Sequence, residues 1–301
     1  MEKLAILVLS SNTYPSVRNS KIQKKVFFSQ PDSTSETYWY KRGTEEELQG
    51  LDSCLSGSDL FIDADDSSLG MGEKTIIAFK WLIENSNFEY IFRTNTSSYV
   101  SVKKLRSFIN DNYKNEKYVY SGLIHKTNDS MERPISFASG SGFLLNRKTV
   151  ELILENQEKW QHEYWDDVSL GLLLRDLNIT PTQGKRLDIE GNVFKQDINL
   201  DNYHYRCRID NHYGYPRLLE RYVISYLNKL DIGKDTNKFI RMLNSSLFEI
   251  FKLFYIHQFG WKTYSLLKSI MKIIFPKNVY KFIKKLFITQ ITDFKLKRFK
   301  T

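Results

Sequence analysis

Carboxylates, guanidinium groups and a serine–glycine run recur in this 301-residue chain at intervals that can assemble one polar site. Segment 163–179, EYWDDVSLGLLLRDLNI, sets Asp166 and Asp167 side by side ahead of an apolar helical pattern. Such a pair has two readings: one carboxylate takes a proton from an attacking hydroxyl as a general base, or both meet the free amides of a helix N-terminus. Segment 137–150, FASGSGFLLNRKTV, carries Ser139-Gly140-Ser141-Gly142, which permits close backbone approach to a ligand or makes an ordinary turn. Segment 203–221, YHYRCRIDNHYGYPRLLER, concentrates His204, Arg206, Arg208 and Arg217. Guanidinium groups hold phosphate with permanent, bidentate charge; the alternative is a charged surface with a hydrogen-bonded histidine.

Positioning these residues takes a frame, and residues 1–225 supply its pattern. Short apolar runs alternate there with helical periodicities, the signature of an α/β fold on a mostly parallel sheet. Leu4–Ser10, Thr37–Arg42, Asp59–Ala64, Tyr90–Thr94, Tyr118–His125 and Phe143–Leu145 read as strands. Helices are expected over Gly72–Asn85, Val102–Asn112, Lys148–Asn156 and Asp166–Leu177. The loops Asp65-Asp66-Ser67-Ser68 and Asn95-Thr96-Ser97-Ser98 then leave the sheet at one edge, the carboxyl ends of parallel strands, where folds of this class bind nucleotides.

Composition narrows the class. With 41% hydrophobic and 26% charged residues the chain is neither disordered nor fibrous. Two distant cysteines, Cys54 and Cys207, make neither a disulfide framework nor a Cys-based zinc site, which points to a reducing compartment. No stretch reaches the ~18–20 uncharged apolar residues of a membrane span, and the N-terminal apolar run is too short for a signal peptide. The expected location is cytoplasmic. Net charge is +9, yet residues 250–301 hold twelve Lys or Arg against the single acid Asp293, so the preceding 249 residues carry −2. From Lys238 onward the pattern is helical, with Phe248, Phe251, Phe254, Tyr255, Phe259 and Trp261 interleaved with lysines. Two regions are therefore expected: an α/β domain over 1–230, and a basic amphipathic helical extension over 231–301. That extension either lies on an anionic membrane at the inner face or packs on the domain or a partner chain. No nucleic-acid-reading motif accompanies the charge, so nucleic acid is not an expected partner.

Taken in order, three segments resemble the β-1,3-galactosyltransferase and Fringe family of inverting glycosyltransferases. That family's helix with Lys-Thr and a following Trp is matched by Lys74, Thr75 and Trp81, its Ser-Gly-x-Gly by Ser139–Gly142, and its acidic pair with Val and Gly by Asp166, Asp167, Val168 and Gly171. The resemblance covers roughly residues 1–210. It implies a GT-A fold, a nucleotide-sugar donor with UDP favoured and a saccharide acceptor; the basic, aromatic-rich tail adds the expectation of a lipid-linked acceptor and of work in surface-polysaccharide synthesis at a membrane. By residue, the resemblance implies Asp167 as general base with Asp166 as the fallback. Around the donor it implies Ser10, Ser11 and Asn12 at the nucleobase, and Lys74, Arg93, Asn95, Ser97 and His204; Asp65, with Asp63 and Asp66, either hydrogen-bonds uracil or ribose at the strand edge or is a solvated loop acid. Ser139, Gly140, Ser141 and Gly142 would floor the sugar pocket.

One departure bears on the chemistry. Where the family carries Thr-Asp-Asp-Asp-Val-Phe-Val, this chain reads Thr94-Asn95-Thr96-Ser97-Ser98-Tyr99-Val100. Asn, Thr and Ser are weak ligands for Mn2+ or Mg2+, so no cofactor and no metal ligand is assigned. Two readings follow. Either Arg206, Arg208, Arg217 and His204 meet the diphosphate in the ion's stead, or the chain binds a carbohydrate or nucleotide without catalysing.

Overall fold

The computed structural model describes residues 3–27, 30, 35–67, 70–129, 131–210, 215–234 and 237–257. The chain divides into two compact units, residues 1–249 and 250–301. The second holds the end of one helix, and the rest of the basic tail, FPKNVYKFIKKLFITQ included, lies outside the described residues.

The first unit is built on an eight-stranded mixed sheet. Strand β1 (Leu4–Leu9) lies near its middle, flanked in parallel by β2 (Ser35–Arg42) and β5 (Tyr90–Asn95). β4 (Asp59–Ile62) adds in parallel to β2, and β3 (Ser53–Ser56) closes that side antiparallel. Beyond β5 come β8 (Pro134–Asn146) and β7 (Tyr120–Asn128), both antiparallel to their neighbour, and the two-residue β9 (Thr182–Gln183). Four of the seven pairings are parallel, and those of the β4–β2–β1–β5 core all are, as the alternating pattern predicts. A second sheet of three short strands, β6 (Ser98–Val100), β11 (His204–Arg206) and β10 (Arg186–Asp188), hangs from the end of β5.

β1 reads as a continuous apolar run because both of its faces are covered. Ala5 and Leu7 join a core cluster with residues of α3 (Gly70–Asn85), α5 (Arg147–Glu155) and α6 (Asp166–Asp176). Leu4, Ile6 and Val8 face the opposite cluster with α4 (Val102–Asn112). The expected helices are present within two residues of their ends.

Two elements differ from expectation. α1 (Ser16–Phe27) was not legible as a helix, because its buried positions Ser16, Asn19 and Gln23 are polar. The strand expected over Phe143–Leu145 begins nine residues earlier, so Ser139–Gly142 is not a turn but part of β8. There β8 bulges. Between the pairs Gly122–Phe143 and Ile124–Ala138, the single residue Leu123 of β7 faces the four residues Ser139–Gly142.

α7 (Glu220–Asp231) and α8 (Lys238–His257) follow the sheets. Phe248, counted among the amphipathic aromatics, is buried 5.1 Å from Phe194 and 6.0 Å from Tyr215. Asn192, Lys195 and Tyr215 all bond Glu249. Up to that point, then, the basic helix caps the domain rather than offering its aromatic face elsewhere. Among the described residues no helix is long and apolar enough to cross a membrane.

Candidate active site

The parallel strands β1, β2, β4 and β5 end at one edge, so Ser10, Gly43, Asp63 and Thr96 emerge together there. β8 runs the opposite way and brings its bulge to the end of β5, where Gly142 pairs with Thr94.

The acidic pair opens α6, and each carboxylate divides its oxygens. Asp166 Oδ1 accepts from the Asp167 amide at 3.0 Å, and Asp167 Oδ1 from the Val168 amide at 3.0 Å. To this extent both cap the helix. Their other oxygens face the site: Asp166 Oδ2 takes the Arg93 guanidinium, and Asp167 Oδ2 accepts from Gly140 N–H at 2.7 Å. Arg93 is fully buried; its Nε donates to Tyr40 Oη at 2.8 Å, and its remaining nitrogen to the Gly140 carbonyl. One guanidinium therefore ties β5, β2, the bulge of β8 and α6 together, and holds Asp167 in place through its neighbours. Burial pushes the Asp167 carboxyl above the usual aspartate range and the adjacent Asp166 adds to this, with Gly140 N–H and Arg93 opposing. A half-buried carboxylate with raised proton affinity is suited to receive a proton.

The glycines of the bulge make room for the protein's own side chains. A Cβ on Gly140 would lie 3.0 Å from Asp167 Oδ2, and one on Gly142 would lie 2.3 Å from His204 Cε1. Gly142→Ala must displace the buried His204 or the strand, and a loss of about 1–3 kcal/mol in denaturant unfolding is expected. A change below about 0.5 kcal/mol would show that the bulge yields freely.

His204 is sealed under Gly142 and against Phe92, its Nε2 sharing a 3.1 Å hydrogen bond with Ser98 Oγ. Burial, reinforced by Arg186 and Arg206, lowers its pKa well below the ordinary histidine value, so it is neutral near pH 7. As a neutral group His204 contributes a hydrogen bond to Ser98 and no charge. Thr94 Oγ1 and Ser98 Oγ both donate to the Ser141 carbonyl, at 2.8 and 3.4 Å. Ser141 Oγ takes a hydrogen bond from Arg186, which is paired through both its Nε and a terminal nitrogen with Asp188, the partner of Arg206 at 3.4 Å.

At the loop that replaces the aspartates, Asn95 Oδ1 closes a local turn on Ser97 N at 3.0 Å, and Thr96 Oγ1 bonds Ser16 Oγ at 3.2 Å, which reaches Ser10 Oγ at 3.3 Å and the Ser11 amide at 2.9 Å. Ser97 Oγ lies 2.7 Å from the Arg217 guanidinium and donates to the fully buried Glu220 at 2.8 Å. Arg217 also pairs with Glu220 at 2.7 Å, and Asn19 donates to the same carboxylate at 2.5 Å. Burial raises the Glu220 pKa, while Arg217, Ser97 and Asn19 oppose that shift. Arg208 bonds Asp210 at 3.1 Å. This loop does not fit a divalent metal. Its oxygens are neutral and engaged, a guanidinium sits on one of them, and among the described residues no cluster of three His, Cys, Asp or Glu can hold a cation.

On the other flank, Lys74 is buried and donates to Asp66 at 2.6 Å, and Asp65 is exposed and 3.4 Å from Arg42. A cleft of about 720 Å³ opens at the ends of β1, β2 and β4; its lining includes Asn12, Arg42, Gly43, Thr44 and Asp63. Ser10, Asn95, Ser97, Ser141, His204, Arg206 and Arg217 thus belong to one hydrogen-bonded edge, whereas Asp65 and Lys74 stand apart with partners of their own. Sequence reasoning missed Arg186, Glu220, Asn19 and the Arg42 wall of the cleft. The spacing Ser16, Asn19, Gln23 and Val26 was the available signal for α1.

No family model matches the chain, nor does any curated protein sequence. Among solved structures it is similar to a glycosyltransferase that acts in glycosylation of the major capsid of PBCV-1, at 8% identity and TM-score 0.43, covering 74% of this chain and 99% of that one. It is likewise similar to the galactosyltransferase LgtC in complex with donor and acceptor sugar analogues (10% identity, TM-score 0.42, 79% and 99% covered). A third is the 4-diphosphocytidyl-2C-methyl-D-erythritol synthase of Anaerococcus prevotii (12% identity, TM-score 0.38, 60% and 87% covered). At these identities and scores the likeness carries no weight for activity.

Proposed function

We propose that the chain is an inverting glycosyltransferase that moves a sugar from a nucleoside diphosphate donor, UDP-sugar favoured, to a saccharide acceptor. The observation that carries this reading is Asp167: a half-buried carboxylate of raised proton affinity, fixed by the Gly140 N–H at the sheet edge that also bears the Arg217 guanidinium. In the reaction, the acceptor hydroxyl oxygen bonds to the sugar C1 as its proton passes to Asp167. The bond from C1 to the diphosphate oxygen breaks, and its electron pair leaves with the diphosphate.

Arg217 meets that developing charge. It sits on Ser97, the position at which the resembled family carries a metal-binding aspartate, and Arg206 and Arg208 lie on the same segment. The cleft walled by Asn12, Arg42 and Asp63 takes the nucleobase. Given the basic tail, the acceptor is lipid-linked and the enzyme works at the inner membrane face in surface-polysaccharide synthesis.

Thermal shifts with UDP, GDP, dTDP and CMP, each with manganese and again with EDTA, test the donor site. One nucleotide is expected to stabilise equally in both, by about 2.7 kcal/mol at a hundredfold excess over Kd. Arg217→Ala should weaken that nucleotide about 10- to 150-fold, since it removes a charge-assisted hydrogen bond. Stabilisation only with manganese would overturn the guanidinium assignment; none with any nucleotide would favour a carbohydrate-binding protein that does not catalyse. For the tail, co-sedimentation with phosphatidylserine-containing vesicles but not with phosphatidylcholine, lost at high salt, is expected. Equal affinity for both vesicle types would remove the membrane clause.

A further inference from the structure

Of the described tryptophans, Trp39 and Trp160 are buried and Trp81 packs edge-on to Tyr38, whereas Trp165 is 64% exposed. Leaving so large an apolar side chain in water forgoes roughly 2–3 kcal/mol of burial, so its display asks for a partner. Its place is specific. Trp165 is the N-cap residue of α6, immediately before Asp166 and two residues before Asp167, so its Cα lies within about 7 Å of the Asp167 Cα.

The backbone that presents it is fixed on both sides. The Trp165 carbonyl accepts from the Ser169 amide at 2.9 Å, and the buried Ser169 hydroxyl donates to the Gln161 carbonyl at 2.6 Å, fastening the loop 161–165. Next in the chain, Asp166 is held by Arg93 and Asp167 by Gly140. An exposed aromatic on a fixed backbone, with the polar residues His162, Glu163 and Asp167 beside it in the chain, matches what a sugar ring offers: an apolar C–H face rimmed by hydroxyls.

We infer that Trp165 is the stacking platform of the acceptor site, binding the apolar face of a terminal pyranose so that one of its hydroxyls meets Asp167. The inference rests on the transfer reading above and names the substrate class of its second subsite. It also explains why an indole is kept in water beside an acidic pair that needs no aromatic neighbour to cap a helix.

Saturation-transfer NMR with methyl β-galactoside, methyl β-glucoside, methyl β-N-acetylglucosaminide and lactose tests it, because the readout requires no turnover. At least one probe is expected to bind the full chain. Trp165→Ala should weaken it by about 5- to 150-fold, the range one stacked aromatic carries, and Trp165→Phe should restore most of the affinity. The nucleotide-induced thermal shift should be the same in all three proteins, which separates loss of the platform from loss of the fold. Binding of no saccharide, undiminished binding to Trp165→Ala, or a nucleotide shift lost along with the saccharide would each overturn the platform. Failure of the donor reading shows separately, as absence of any nucleotide shift in the unaltered chain.

Discussion

Asp167→Asn is expected to slow sugar transfer by about 10²- to 10⁴-fold while nucleotide affinity stays as it is. The substitution keeps the shape of the side chain, and its amide oxygen can still accept from Gly140 N–H, so the bulge is preserved while the first turn of the helix gives up the contact with the Val168 amide. What is lost is a group able to take the acceptor proton. The pH profile gives an independent check. A base must be ionised to work, so activity falls as pH drops through its pKa. Because burial and then Asp166 raise that pKa, the acid limb should lie above the ordinary aspartate value of 3.8. Rates of transfer at saturating donor, together with the acid limb of kcat/KM, test both points. A variant that retains more than about a tenth of the rate would remove Asp167 from the chemistry. Asp166 is the poorer candidate, since Arg93 occupies its outward oxygen.

The sequence was legible wherever burial is apolar. β1, α3, α4 and α6 announce themselves because Leu4–Val8, Phe79, Leu105 and Leu170 pack on like neighbours. It was illegible where burial is polar. α1 shows a helical spacing of Ser16, Asn19, Gln23 and Val26, but most of its inner face bonds polar groups, and only Val26 and Phe27 at its end are apolar: Gln23 donates to the carbonyls of Asn95 and Ser98 at 2.9 and 2.8 Å. Hydropathy cannot register such a face. Glu220 escaped for the same reason, as a carboxylate 123 residues from Ser97 is indistinguishable in sequence from a solvated one. The glycines of Ser139–Gly142 were legible as special, though not their cause, because the atoms they accommodate belong to Asp167 and His204, brought in by α6 and β11. The acidic pair reads as base or as cap, and each carboxylate divides its oxygens between the next backbone amide of the helix and a site-facing contact with Arg93 or Gly140.

The largest stability effect is expected at Arg93. Burial by itself would disfavour its charge, and Asp166 and Tyr40 hold the guanidinium protonated. Arg93→Met would leave the Asp166 carboxylate, the Gly140 carbonyl and the Tyr40 hydroxyl without their shared donor inside the protein. Removing one partner of such a buried pair costs about 3–5 kcal/mol, a large part of the 5–15 kcal/mol that holds a typical domain together. The midpoint of thermal unfolding should fall by roughly 10 °C. Arg93→Lys should recover only part of this, as a single ammonium cannot present the planar fork that spans three acceptors. The double change Arg93→Met with Asp166→Leu should be less damaging than Arg93→Met alone, since no buried charge is then left unpaired. Denaturant unfolding of the unaltered protein, Arg93→Met, Asp166→Leu and the double change closes the cycle. If Arg93→Met costs under about 1 kcal/mol, the guanidinium does not bind β5, β2, β8 and α6 into one frame, and Asp167 must owe its position to the helix start and Gly140 alone.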